Sequence, residues 1–456
     1  MAPQSFDAII IGSGQAGTPL AFRLAAAGQQ VAFIEKTHYG GTCVNDGCTP
    51  TKAYVASARR MFDATHGDEL GIHIPAGAKA DMQRIKARKD DLVAASRDGI
   101  QRGVESTEGI TPFWGEARFT GHKQVEVNGQ TLTAARIFIN VGGRARIPEG
   151  FADLPYLTNT SILELAEVPA HLLVVGGSYV GLEFGQMFRR FGSRVTIIER
   201  GPRLIGREDP ETSEAVQQIL TDEGIDLRLE ASCLGGEQRA DGHIEVRIDC
   251  EDGPPDAVGS HLLLATGRVP NSDRLQLDAT GLSTDERGYI PVNDYLETKV
   301  AGIYALGDVN GRGAFTHTAY HDFEIVAANL LDGGDRKLSE RILTYGLYLD
   351  PPLGRAGLTR TQAEEAGYRV QVASRPMSKV ARAKEKGETQ GFMQAVIDAD
   401  TDQFLGATVL GVGGDEIVNG FLTLMQAKQP YTLLRDTVVA HPTVSELIPT
   451  MLGELS

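Results

Sequence analysis

Asp7–Gly17 reads DAIIIGSGQAG, a short apolar run that ends in Gly12-Ser13-Gly14-Gln15-Ala16-Gly17. Leu20, Leu24 and small alanines then recur at helical spacing up to Gly28, a second strand follows from Gln30 to Ile34, and Glu35 closes it. Strand, G-x-G-x-x-G, helix, strand and terminal acid form the dinucleotide fingerprint, whose glycines let the backbone approach a pyrophosphate at a helix N-terminus. Glu35, 23 residues after Gly12, is placed to hold a ribose hydroxyl. The alternative, a glycine-rich turn with no ligand, does not account for both strands, the helix and the acid together.

The pattern repeats. Leu172–Val175 leads into Gly176-Gly177-Ser178-Tyr179-Val180-Gly181, a helix through Phe191, and a strand from Arg194 to Ile198 that ends in Glu199. Two dinucleotide sites are therefore expected. Ser178 stands where the middle glycine belongs, so this copy is less clean, while Gly176 and Gly181 keep the turn and the helix packing. Glu199, 23 residues after Gly176, favours a free ribose hydroxyl and hence NADH. Arg200 and Arg203 follow directly, and an arginine there accommodates a 2′-phosphate, which keeps NADPH open.

Between the two copies, Gly40–Lys52 reads GGTCVNDGCTPTK and sets Cys43 and Cys48 five positions apart. A disulfide needs Cα atoms within about 4.4 to 6.8 Å. A regular helix separates i and i+5 by roughly 8 to 9 Å. A distorted turn is therefore expected at Asn45, Asp46 and Gly47, with a regular helix from Thr51 to Arg60 and Pro50 in its first turn. A cysteine at a helix start meets the positive end of the dipole, which favours the thiolate. The pair reads as redox-active. A zinc site would want a second ligand pair, and the other cysteines, Cys233 and Cys250, lack C-x-x-C spacing, so no metal site is expected. A structural disulfide is out of place in a chain without an export signal.

Composition narrows the partners. A chain of 456 residues exceeds one ordinary core and implies several units. The 41% hydrophobic and 23% charged fractions are those of a soluble globular protein. A net charge of -16 disfavours nucleic acid and anionic membrane surfaces, leaving small molecules as ligands. The N-terminus has no basic n-region and no apolar run reaches spanning length, so neither a signal peptide nor a membrane span is expected. With four cysteines and no secreted disulfide framework, the cytoplasm is the default compartment.

Elsewhere, Asp81 to Thr107 reads as a long solvated helix with Ile85, Leu92, Val93, Ile100 and Val104 inward. Asn128-Gly129 inside QVEVNGQTLTA marks a type I′ hairpin. Arg136 to Val141 and His261 to Gly267 read as buried strands, and Gly302–Asp308, GIYALGD, as a strand presenting Asp308 at its ligand-binding end. Leu331 to Lys337 reads as a linker, and Thr344 to Ser456 as an α+β unit. Near the end, His441 and Glu446 lie five residues apart, and a carboxylate that orients an imidazole suits acid/base work.

Two dinucleotide folds, GGTCVNDGCTPTK, ATGRVPN (265–271), the GD-ended strand and HPTVSE (441–446) occur in one order over nearly the whole chain. Together they closely resemble the class I pyridine nucleotide-disulfide oxidoreductases, the flavoprotein group of dihydrolipoamide dehydrogenase, glutathione reductase and mercuric reductase. The resemblance implies an α/β fold: two Rossmann-like domains, for FAD and NAD(P)H, and an α+β C-terminal dimerisation domain. The boundaries it implies are residues 1–150 for the first part of the FAD domain, 151–269 for the NAD(P)H domain, 270–336 for the second part of the FAD domain, and 337–456 for dimerisation.

By the same resemblance, Gly12, Gly14, Gly17, Glu35, Thr42, Lys52 and Asp308 match FAD-contacting positions. Gly176, Gly181 and Glu199 match the pyridine nucleotide site, and Gly143 and Gly267 join the cofactor-binding positions. Glu183, in the GLE segment, resembles the acid that pairs with Lys52 beside the flavin. Cys48 is then the flavin-facing thiolate and Cys43 the sulfur that attacks a substrate disulfide. His441, backed by Glu446, serves the partner subunit's thiols as acid/base. The implied activity passes electrons from NADH through FAD and Cys43–Cys48 to a small-molecule disulfide, in a homodimer with shared active sites.

Mercuric reductases keep a C-terminal cysteine pair, and this chain has no cysteine after Cys250, which disfavours Hg(II) by that route. FTHTAYHDFEIV (315–326) and ETQGFMQAVIDADT (388–401) look more like mercuric-reductase-like and copper- or chlorine-stress reductases than like glutathione reductase. Reduction of Cu(II), Hg(II) or a quinone on the same scaffold, or a dihydrolipoamide dehydrogenase, are the alternatives. Asp46 departs from the apolar residue usual in the redox turn, and its charge is expected to disfavour neighbouring thiolates and anionic disulfides.

Overall fold

The computed structural model describes residues 2–75, 77–249 and 254–455, so Cys250 lies outside the described residues. The first unit runs β1 (Gln4–Ile11), α1 (Gly17–Ala26), β2 (Val31–Glu35), α2 (Gly41–Asn45), α3 (Cys48–Asp63), α4 (Met82–Ser106), β3 (Ile110–Trp114), β4 (Ala117–Gly121), β5 (Gln124–Val127) and β6 (Gln130–Ile139). Ala8–Ile11 and all of β2 are buried, as apolar runs are in a parallel sheet covered on both faces. β1 lies between β2 and β6 and parallel to both, with Ile10 opposite Phe33 and Phe138. Asn128 and Gly129 join β5 to β6 with φ of 48° and 79°, the expected type I′ turn.

The chain then leaves this sheet through β7 (Gly143–Ala145) and builds a second one. Its elements are β8 (Tyr156–Leu157), β9 (His171–Val175), α5 (Tyr179–Phe191), β10 (Arg194–Ile198), α6 (Pro210–Asp222) and β11 (Asp226–Arg228). The antiparallel strands β12 (Ser232–Gln238), β13 (Ile244–Asp249) and β14 (Asp256–Gly259) follow, then β15 (His261–Leu264), and the parallel order is β11-β10-β9-β15-β8. β16 (Arg268–Pro270) pairs with β7, and β17 (Ile303–Ala305) returns to the first sheet, parallel to β6. α7 (Thr316–Leu331) packs back against α1.

The last unit is an antiparallel sheet of β18 (Thr344–Leu347), β19 (Leu353–Gly357), β20 (Val370–Pro376), β21 (Phe392–Asp398) and β22 (Phe404–Leu410), in the order β18-β19-β22-β21-β20. Helices α8 (Arg360–Glu365) and α9 (Ala381–Glu385) connect its strands, and α10 (Gly414–Gln426) packs on β19 and β22. Gly354 makes that packing possible, because a Cβ there would sit 2.2 Å from the Gly414 carbonyl oxygen. The unit is α+β, as expected. Among the described residues no helix is long and apolar enough to cross a membrane.

Two local expectations change. The helix after the redox turn starts at Cys48, not Thr51, and runs to Asp63; the distortion is confined to Asp46 and Gly47. A Cβ on Gly47 would meet the Thr42 carbonyl oxygen at 2.8 Å, so glycine lets the chain fold back sharply enough to restart the helix at once. On α4, Met82, Lys89, Val93 and Val104 are buried, whereas Leu92 is 41% exposed. The buried stripe follows spacings of seven, four and eleven residues, and Leu92 lies one position off it. Lys89 takes the inward place because Glu164 Oε1, at 2.9 Å, and Asp90 meet its ammonium.

Candidate active site

A single cleft of about 2800 Å³ takes in both glycine loops and the two cysteines. Ordinary small-molecule pockets run to roughly 300–1,000 Å³, so this volume suits more than one large ligand. At one end, Gly12 has φ of +100°, and a Cβ there would fall 2.3 Å from the Asn140 carbonyl oxygen. A Cβ on Gly14 would reach Asn140 Oδ1 at 2.8 Å, and one on Gly41 would reach Gly14 Cα at the same distance. Side chains are thus excluded where the backbone must come close, which is the cradle a dinucleotide pyrophosphate requires. Gly17 does not line the cleft; its Cβ would strike the Gly12 carbonyl oxygen at 2.2 Å, so its role is to let α1 approach the turn.

Asn140 escaped the sequence reading and holds this loop together. Its Oδ1 accepts from Gly17 N at 2.9 Å and its Nδ2 donates to the Leu306 carbonyl at 2.8 Å, tying the fingerprint to the end of β17; that strand stops at Ala305, short of the expected Asp308, which lies in the 3-10 turn Gly307–Asn310 that follows. The available signal was a lone asparagine ending the apolar run RIFIN. Glu35 is fixed at the cleft rim by Ser13 Oγ at 2.6 Å and by the backbone N–H groups of Lys36 and Thr37 at 2.7 and 2.9 Å. Burial pushes the Asp308 carboxyl up, opposed by Arg268, whose Nε lies 3.6 Å away.

The second loop repeats the device. Gly176 has φ of +117° and its Cβ would sit 2.4 Å from the Ala265 carbonyl oxygen, while one on Gly181 would meet the Gly176 carbonyl at 2.0 Å. Glu199 accepts from Gly177 N at 2.6 Å and from Gly201 N at 2.7 Å. Ser178 is extended, at φ −122° and ψ −174°, a conformation open to any residue, so the missing glycine brings no backbone strain. Gly176, Glu199 and Gly267 line the cleft, as Arg200 does; Gly181 and Arg203 do not. Gly143 lies apart from the main cleft, beside a cavity of about 290 Å³ shared with Thr42, Asp46 and Arg268.

Between the loops sit the thiols. Cys43 and Cys48 are unbridged, and the Cys43 S–H donates to the Cys48 sulfur. That bond pulls the Cys48 pKa down to about 6, with the Thr316 hydroxyl at 3.1 Å and the Lys52 ammonium assisting, against burial and Glu183. The same bond, with burial and the Cys48 charge, drives Cys43 far above the usual thiol range. The pair therefore carries its negative charge on Cys48. Lys52 Nζ lies 2.8 Å from Glu183 Oε2 and 4.3 Å from the centre of the Tyr348 ring, and Glu183 Oε1 accepts from Tyr348 N at 3.0 Å. Thr42 completes the wall of the cleft.

Asp46 is itself shifted. Burial raises its carboxyl, opposed by His38, Arg97 and Arg268, and its carbonyl accepts from Asn159 Nδ2 at 3.0 Å. The Cys48 pKa falls under the influence of Cys43, Thr316 and Lys52. His441 and Glu446 lie outside the cleft of their own chain. Glu446 Oε2 is 2.7 Å from His441 Nδ1, with the Glu446 side chain 11% and the imidazole 78% exposed, so the imidazole points outward from its own subunit. Among the described residues no group of three or more His, Cys, Asp or Glu is arranged to hold a metal ion.

Comparison with known proteins agrees with this geometry. The family described as "Pyridine nucleotide-disulphide oxidoreductase" matches residues 6–322, and its dimerisation domain matches residues 344–452. The probable pyridine nucleotide-disulfide oxidoreductase RclA of Escherichia coli is 34% identical over 451 residues, covering 97% of each chain. A mercuric reductase of Bacillus cereus is 35% identical over 446 residues, 97% of this chain and 70% of that protein. A dihydrolipoyl dehydrogenase of Thermus scotoductus is 33% identical over 450 residues, 97% and 96% of the two chains. The solved Cu(II) complex of the HOCl-induced flavoprotein disulfide reductase RclA from Escherichia coli superposes with a TM-score of 0.89 at 33% identity, covering 99% of each chain. This chain therefore belongs to the pyridine nucleotide-disulfide oxidoreductases, the NAD(P)H-dependent enzymes that use FAD, and carries their dimerisation domain.

Proposed function

We propose that the protein is a cytoplasmic homodimer that reduces a small-molecule disulfide, with NADH as the preferred donor. The observation that carries this is the placement of Cys43 and Cys48 in one cleft with both glycine loops, with the Thr316 hydroxyl against Cys48 and the Lys52–Glu183 pair in the same cleft, lowering and raising the Cys48 pKa respectively. Gly12, Gly14, Glu35, Thr42 and Asp308 along the first glycine loop and the redox segment would hold FAD, which would supply two-electron transfer between a pyridine nucleotide and the Cys43–Cys48 disulfide. That disulfide opens with uptake of one proton to give the Cys43 thiol and the Cys48 thiolate.

Cys43 then loses its proton to the partner subunit's His441 and attacks the substrate disulfide, forming a mixed disulfide and releasing one thiolate. The same imidazole returns the proton to that leaving group, while Glu446 fixes its orientation. Cys48 next attacks the Cys43 sulfur, re-forms the internal disulfide and releases the second thiolate, which takes a proton. The sum is one disulfide, NADH and a proton converted to two thiols and NAD⁺. Lys52, paired with Glu183, supports the thiolate between turnovers.

Glu199 at the end of β10 supports NADH, and Arg200 in the cleft wall leaves a secondary use of NADPH. A second reading, in which the same thiols reduce Cu(II) as substrate, is favoured by the Cu(II) complex solved for the similar RclA. NADH oxidation by purified protein against disulfides, Cu(II), Hg(II) and quinones separates the readings. His441→Ala is expected to abolish disulfide turnover and keep quinone reduction; disulfide turnover unaffected by that substitution would overturn the acid/base assignment.

A further inference from the structure

A buried ion pair that the proposed reaction does not use lies beside the second glycine loop. Glu208 sits ahead of α6 and Arg355 on β19, and their side chains are 0% and 1% exposed. Arg355 donates to Glu208 Oε2 through Nε at 3.1 Å and again through Nη2, and the Tyr345 hydroxyl donates to Glu208 Oε1. Arg355 Nη1 has no hydrogen-bond partner among the described residues, although the cleft wall includes this residue. Replacing such pairs by apolar residues is often neutral or stabilising, so burial alone does not explain the arrangement. Nor does docking of the two units: the neighbouring Asp209 accepts from Arg360 N, Thr361 N and Thr361 Oγ1 at 2.8, 3.0 and 2.6 Å, joining α6 to α8 without Glu208.

The network does reach the cleft. Tyr345 is packed edge-on against Tyr179, centroids 5.4 Å apart at 87°, and stacked on Phe315 at 5.4 Å and 16°. Tyr179 is the first residue of α5, directly after Ser178, and meets Phe315 at 6.0 Å and 85°. Phe315 precedes Thr316, whose hydroxyl touches Cys48. The aromatic cluster thus spans the passage from the nucleotide loop to the thiolate, and its base is anchored by the ion pair.

We propose that Glu208, Arg355 and Tyr345 are positioning residues that hold Tyr179 against Phe315 and so set how far a pyridine nucleotide on the second loop reaches toward Thr316 and Cys48. This rests on the assignment of that loop to NAD(P)H. Tyr345→Phe keeps the ring and deletes the link to Glu208, while the double variant Glu208→Gln/Arg355→Met removes the pair without leaving a lone buried charge. FAD-loaded enzyme is mixed rapidly with NADH to obtain an apparent Kd and a limiting rate of flavin reduction. Re-oxidation of the dithiol enzyme by hydroxyethyl disulfide is followed separately.

Both variants are expected to shift the apparent Kd for NADH by about threefold or more, with the re-oxidation rate within about twofold of wild type. An unchanged Kd and limiting rate in both, even with a lowered Tm, would leave the network a structural tie and overturn the proposal. Wild-type enzyme reduced by neither NADH nor NADPH would instead overturn the proposed function, and this inference with it.

Discussion

Cys48 Sγ lies 3.1 Å from Thr316 Oγ1, although 268 residues separate them. Thr316 opens the sixteen-residue α7, so a hydroxyl and the positive end of a helix both face the sulfur that holds the negative charge. Thr316→Val is expected to raise the Cys48 pKa by roughly one unit from its value of about 6. The check is the pH dependence of alkylation of the dithiol enzyme by iodoacetamide. In wild type the rate climbs as pH rises through about 6, because Cys48 loses its proton there while Cys43 keeps its own. A midpoint that does not move in the variant would remove Thr316 from the account of the thiolate.

Lys52 and Glu183 make the second contribution. Glu183 is buried, so Lys52→Met strands a carboxylate, and the cost is expected at about 2 kcal/mol, below that of a fully buried pair because Lys52 is one-third exposed. The same change removes a cation that lowers the Cys48 pKa, so the alkylation midpoint moves up as well. Adding Glu183→Gln should recover most of the lost stability. Urea denaturation of the four proteins of this double-mutant cycle measures the coupling, and additive losses would show that the pair does not act as one.

The parts legible in the sequence are those encoded by local spacing. Gly12, Glu35, Gly176 and Glu199 were readable because strand, turn and helix geometry ties each to neighbours within 23 residues. Asn140 and Thr316 were not, since each is a single polar residue whose partner lies in a distant segment: Gly17, 123 residues from Asn140, and Cys48, 268 residues from Thr316. Lys89 misled for another reason. Hydrophobicity puts Leu92 inside α4, but the buried Lys89 ammonium finds Glu164, and ion pairing across 75 residues leaves no periodic trace.

The outward-facing His441 leads to a prediction about assembly. If its acid/base role is played in the partner subunit, Cys43→Ala and His441→Ala should each be inactive in disulfide reduction and complement one another. A mixed dimer then contains one site with both residues intact. The isolated mixed dimer should therefore regain about half of the wild-type activity, and the unfractionated random mixture about a quarter. Co-expression with two affinity tags, followed by assay of the doubly tagged dimer, checks this; inactive mixed dimers would mean that the histidine and the thiols do not meet across the interface.

His321 carries an acid-sensitive load outside the thiol chemistry. Burial, with the charges of Arg341 and Arg336, pulls its pKa from 6.5 down to about 4, and Arg341 Nε lies 3.0 Å from its Nδ1, which must be unprotonated to accept. The unfolded chain therefore binds a proton between pH 6.5 and 4 that the folded chain refuses. The neutral imidazole contributes its stability in full above pH 6.5, and that contribution is lost as pH falls toward 4. His321→Gln keeps a hydrogen-bond acceptor and removes the titration. Its Tm should consequently fall less than that of wild type between pH 7 and 4.5 in calorimetry of the FAD-loaded dimer, and parallel curves for the two proteins would show that the acid sensitivity arises elsewhere.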